Sequence, residues 1–74
     1  MQIGLVLELL KVSLETFNNE RKDRFLKQYV KLEKDYNDEI SKPDSDRSDL
    51  ALDRILFECE TLVKLVIAES KKPN

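Results

Sequence analysis

Six basic side chains, Arg21, Lys22, Arg24, Lys27, Lys31 and Lys34, fall within a short span, and four of them share one face of a helix. Arg24, Lys27, Lys31 and Lys34 recur every three or four residues, the spacing that stacks side chains along one side of an α-helix. Such a row can meet successive phosphates without reading a base, so its chemistry would be nucleic-acid contact. Phe25 and Tyr29 lie off the centre of the row and offer no platform for stacked single-strand bases. Glu20, Asp23, Asp35 and Asp38 each stand four residues from one of the bases, the ion-pair pattern of an ordinary exposed helix. A net charge of −2 adds no general attraction to polyanions.

The acidic residues point less far. Asp44, Asp46, Ser48 and Asp49 resemble a calcium loop in composition only. The central glycine is missing, and the twelfth position counted from Asp44 is Ile55, not glutamate. Their better use is to cap a helix. Asp35/Glu39 and Asp49/Asp53 pair carboxylates on single helical faces, but a di-metal bundle also needs inward histidines, and the chain has none. General acid–base work needs a pocket that perturbs a carboxylate, and so short a chain has little material for one. Cys59 sits in an apolar stripe between Ile55 and Leu62, flanked by Glu58 and Glu60. It reads as a small core residue, because neighbouring acids oppose a reactive thiolate. No enzyme activity, metal or cofactor is expected.

These residues need elements to hold them. With 74 residues, 41% hydrophobic and 38% charged, the chain has room for one domain, residues 1–74. It is too apolar for a disordered tail and too charged for a membrane protein. One cysteine excludes an internal disulfide, and the free thiol suits a reducing, cytoplasmic setting. Gly4 to Leu10 is apolar but brief, has no basic leader and is interrupted by Glu8, so neither a signal peptide nor a membrane span is expected. The polar side of this segment carries Glu8, Lys11 and Glu15, which is not the basic face of a membrane-surface helix.

Helix propensity is high from Ile3 to Ile40, with no internal proline. Ile3, Leu7, Leu10, Leu14 and Phe17 form one apolar stripe; Phe25, Tyr29, Leu32, Tyr36 and Ile40 resume it after a slip in register. Asn18-Asn19 is the one candidate break, since asparagine can end one helix or cap the next. A two-residue link is tight for a reversal, and the reading favours a continuous helix over about 3–40. Pro43 and the capping residues around it place a connection over about 41–48. A second helix runs over about 46–70, its stripe built from Leu52, Ile55, Cys59, Leu62 and Val66, and Pro73 stops it.

Lengths then decide the expected architecture. A helix over 3–40 would be about 57 Å long against about 36 Å for its partner, at about 1.5 Å per residue. Folded back, the second helix would reach only to about Phe17 and leave the leucine-rich start uncovered. The expectation is therefore an all-α fold, a long antiparallel helical hairpin that dimerises into a four-helix bundle with coiled-coil packing. The alternative is a compact three-helix bundle broken near Asn18. In the first reading the protein–protein interface comprises Ile3, Val6, Leu7, Leu10, Leu14, Phe17, Leu62, Leu65 and Val66. The expected role is non-enzymatic: an adaptor or regulatory module that self-associates through its terminal leucines, a homo-oligomer with a dimer favoured, and another protein as the further candidate partner. The competing role is a small nucleic-acid regulator using Arg24, Lys27, Lys31 and Lys34.

Overall fold

The computed structural model describes residues 2–73. Three α-helices follow one another, α1 (Ile3–Glu15), α2 (Asn19–Ile40) and α3 (Asp49–Ser70), with one short 3-10 turn at Asp44–Asp46. Each packs on the other two, so the chain is a compact three-helix bundle. The expected hairpin and its four-helix dimer are overturned. The continuous helix is interrupted after Glu15, and the leucine-rich start folds back onto its own chain rather than overhanging it.

Local chemistry makes the reversal without a glycine. Thr16 keeps right-handed helical backbone and its hydroxyl donates to the Ser13 carbonyl at 2.6 Å, closing α1. Asn18 is extended, and its side-chain oxygen accepts from the Arg21 amide at 2.9 Å, opening α2. The link therefore uses Thr16, Phe17 and Asn18, longer than the asparagine pair alone. Phe17 lies between the helix ends and packs on Phe25, ring centroids 6.1 Å apart.

The second connection lies between Ile40 and Asp49, where α3 starts. Ser48 caps it, its hydroxyl accepting from the Ala51 amide. Glu39 reinforces the cap across the loop. Its carboxylate accepts from the Ser48 amide at 2.8 Å and from Lys42 Nζ at 3.1 Å. These two hydrogen bonds, with the charges of Lys42 and Arg47, hold the Glu39 carboxyl below its ordinary range despite its shielding from solvent.

The core runs along the axis where the helices meet: Val6, Leu7, Leu10 and Leu14 from α1, Tyr29 and Leu32 from α2, Ile55, Cys59, Leu62 and Val66 from α3. Cys59 is fully buried, as its place in the apolar stripe implies, and burial followed by Glu58 and Glu60 pushes its thiol pKa up. Tyr29 is the one core residue with a polar tip, and its hydroxyl donates to Glu33 at 2.8 Å. Burial first, then that bond and the nearby carboxylates, raise its pKa to about 12.

Helix lengths are unequal. α2 and α3 each have 22 residues, but α1 has 13. Val6 and Leu9 lie beside Glu60, Val63 and Lys64, while Leu10 and Ser13 lie beside Val66 and Ile67, so α1 and α3 run parallel. α1 accordingly covers the second half of α3 and leaves its first turns to α2 alone.

Candidate interaction surfaces

The nine residues expected to form an intermolecular interface have separate fates. Val6, Leu7, Leu10, Leu14, Leu62 and Val66 are buried inside the bundle. Ile3 and Phe17 are partly buried against that core. Leu65 is about half exposed. It stands two residues from both Val63 and Ile67, hence on a different side of α3.

All four members of the basic row keep a solvent-facing position. Arg24, Lys27, Lys31 and Lys34 are exposed on the side of α2 opposite its buried Tyr29 and Leu32. Of the two surfaces read from sequence, the basic row is the one that persists as a surface. It is not a bare stripe of charge. Lys34 approaches Asp38 at 3.7 Å, and Arg24 turns toward Glu69 at 3.5 Å. α2 as a whole carries six acidic and six basic side chains.

Glu69 is a buried carboxylate near the end of α3, and sequence reasoning missed it. Arg21 Nε at 3.3 Å, Arg24 at 3.5 Å and Lys72 Nζ at 3.6 Å surround it, and Arg21 also donates to the Pro73 carbonyl at 2.9 Å. The cluster ties the start of α2 to the end of α3. With Glu39 at the opposite end, both ends of that helix pair are pinned by a shielded carboxylate. Nothing in the local sequence around Glu69 signals this, because its partners Arg21 and Arg24 lie more than forty residues away.

A second missed feature is apolar. Leu5, Leu9 and Val12 lie on the outside of α1 and are 65%, 58% and 52% exposed. Their separation of four and then three residues is itself a helical stripe, rotated away from the inward row. A groove between α1 and α3 continues this surface. Its first depression, about 220 Å³, is lined by Val6, Leu9, Glu60, Val63 and Lys64. The second, about 170 Å³, extends past Leu10 and Ser13 to Val66 and Ile67, the last 48% exposed. These residues give α1 and α3 an exposed apolar face beside the groove.

No protein-family model matches the chain, and neither a curated protein nor a solved structure matches it significantly. Among the described residues no helix is long and apolar enough to cross a membrane, and no group of three His, Cys, Asp or Glu side chains is arranged to hold a metal ion.

Proposed function

We propose that this protein is a non-enzymatic helical interaction module, an adaptor or regulator that binds another protein through the apolar face of α1 and α3. One observation carries the reading: Leu5, Leu9 and Val12 form an outward row on a helix whose other apolar row already fills the core. The hydrophobic effect disfavours leaving such a row in water, at roughly 25 cal/mol per Å² of apolar area. In this reading a partner protein covers the row. The buried, unactivated thiol suits a reducing compartment, and a cytoplasmic location belongs to the same reading.

A second reading uses the basic row of α2. The exposure of Arg24, Lys27, Lys31 and Lys34 on one side favours it, and it would make the protein a small nucleic-acid regulator. Site-specific photo-cross-linking in the native host separates the two. A photoreactive residue at position 9 is expected to give protein adducts, and one at position 31 is not. Adducts to nucleic acid from position 31, with none from position 9, would replace the first reading by the second.

A further inference from the structure

We infer that the element seated on the α1/α3 face is α3 of a second copy of this chain, packed antiparallel across a two-fold axis at Leu62; this rests on the interaction reading above and names the covering chain. A stripe along the solvent side of α3 carries it. Asp53, Phe57, Glu60, Lys64, Ile67 and Lys71 recur at alternating steps of four and three residues, so they line one side of the helix beside the groove. Lys71, the C-cap, keeps right-handed helical backbone. All six are exposed, and the four charged members form no ion pair within 4 Å among the described residues.

The order of the stripe selects the occupant. It reads acid, apolar, acid, base, apolar, base, and each member has a counterpart equally far beyond Leu62: Asp53 and Lys71, Phe57 and Ile67, Glu60 and Lys64. An antiparallel two-fold axis at Leu62 therefore sets every acid against a base of the second copy, and every apolar member against an apolar one. Parallel helices would instead oppose each charge with its own like. The groove supplies the apolar contact. Phe57 is 69% exposed, and placed opposite the second copy's Ile67 its ring meets the depression of about 170 Å³ that Ile67 shares with Leu9, Leu10 and Ser13. A cavity of about 150 Å³ admits benzene, so the ring has room. Exposed ion pairs add little affinity; the rings drive association, and the charges fix direction and register. This pairing is not the expected hairpin dimer, whose Leu7, Leu10, Leu14, Leu62 and Val66 are inside the core. Two acids and two bases leave the stripe without net charge, and so without preference for a basic helix or an anionic lipid surface.

The test is sedimentation equilibrium of the full chain across a wide concentration range, with zero-length carbodiimide cross-links mapped by mass spectrometry. The chain should form a dimer cross-linked between Asp53 and Lys71. These residues stand roughly 27 Å apart on one helix, at about 1.5 Å per residue, so that link can only join two copies. Phe57→Ser should raise the dissociation constant at least about tenfold, and so should Glu60→Lys or Lys64→Glu alone. Mixed in equal amounts, those two charge variants should form a heterodimer within about threefold of the original affinity, since two lysines on one chain then face two glutamates on the other. A monomer at every concentration, a dimer indifferent to Glu60→Lys, or a dimer without the Asp53–Lys71 link would overturn the inference. Phe57-dependent binding to phosphatidylserine vesicles would overturn it in favour of a membrane. Photo-adducts from position 9 to a second copy support it. Adducts only to a different protein, from a chain that stays monomeric, discard the second copy and keep the interaction reading; no adduct from position 9 discards both.

Discussion

The two apolar rows of α1 are made from nearly the same residues and have opposite fates. Ile3, Leu7, Leu10 and Leu14 face the bundle, and three of these, Leu7, Leu10 and Leu14, are almost wholly removed from water. Leu5, Leu9 and Val12 sit between them in sequence and remain more than half exposed. Composition cannot separate the rows, because both are leucine and β-branched aliphatic at helical spacing. Only the second and third helices do so, by covering one side of α1 and not the other. The hydrophobicity of this short helix therefore divides in two: one row completes the fold, and the other stays exposed.

Truncation at Leu10 gives the largest contrast with its neighbour. Leu10→Ala empties a fully buried site between α1 and α3, and the loss of transfer energy plus a cavity should cost about 2–5 kcal/mol. Denaturant unfolding measures it. For so small a bundle such a loss should leave a large unfolded fraction at room temperature. A cost near zero would mean that the inward row is not the core row, and the contrast within α1 would collapse.

The turn before α2 tests whether α1 is held back against the bundle. Asn18→Ala removes the side-chain acceptor for the Arg21 amide, and should destabilise the fold by about 1 kcal/mol. It also removes the capping side chain at the extended residue between α1 and α2. Unfolding midpoint and solution dimensions, measured together, give the answer. A longer, thinner particle would show that the cap enforces the reversal; unchanged shape with the expected loss would assign that task to the packing of Leu7, Leu10 and Leu14.

This turn also explains how far the sequence could be read. All-helical content, a turn around Pro43, the Ser48 cap and the place of Cys59 follow from propensity, proline and apolar spacing, whereas the acids of that turn make no side-chain cap bond among the described residues. The number of helices did not follow, since Asn18 and Asn19 suit both a break and a solvated turn of one long helix. The deciding contribution is Thr16 and Phe17, which add backbone to the link and place a ring against Phe25. Neither residue is a recognised breaker. The basic row of α2 was legible because one helix suffices to define it. The apolar site was not, because which row of α1 is outward depends on α3 across the chain. Glu69 was invisible for the same reason.

An end of the molecule that α1 does not reach provides a control by pH. The Glu39 carboxyl lies below its ordinary value in the folded chain, so the unfolded chain takes up the proton first as pH falls. The stabilisation is complete above the ordinary carboxylate range and is lost as pH drops through the depressed folded value. Melting curves between neutral and acidic pH should show this loss, and Glu39→Gln should flatten the slope. Leu9→Ser should leave the slope unchanged, since Leu9 lies on α1 and Glu39 joins α2 to the loop before α3. A slope that follows Leu9 instead would mean that the outer row is coupled to the α2–α3 junction and is no independent surface.

The smallest expected effect is the most informative about function. Leu9→Ser replaces a 58% exposed side chain on the outside of α1, where little apolar area is lost from contact. Surface changes of this kind stay within about 0.5 kcal/mol, and serine's slightly poorer helix propensity lies inside that range. Set beside Leu10→Ala in the same unfolding assay, one position should be costly and its immediate neighbour nearly silent. If Leu9→Ser is as destabilising as Leu10→Ala, the outward row is held by the fold itself and needs no partner. If it is silent for stability yet removes binding, then stability and association are separated along one helix by a single step in sequence. Selection for folding alone gives no reason to place three large aliphatic side chains on the solvent side of a thirteen-residue helix. A silent Leu9→Ser would therefore leave association as the physical reason for their position.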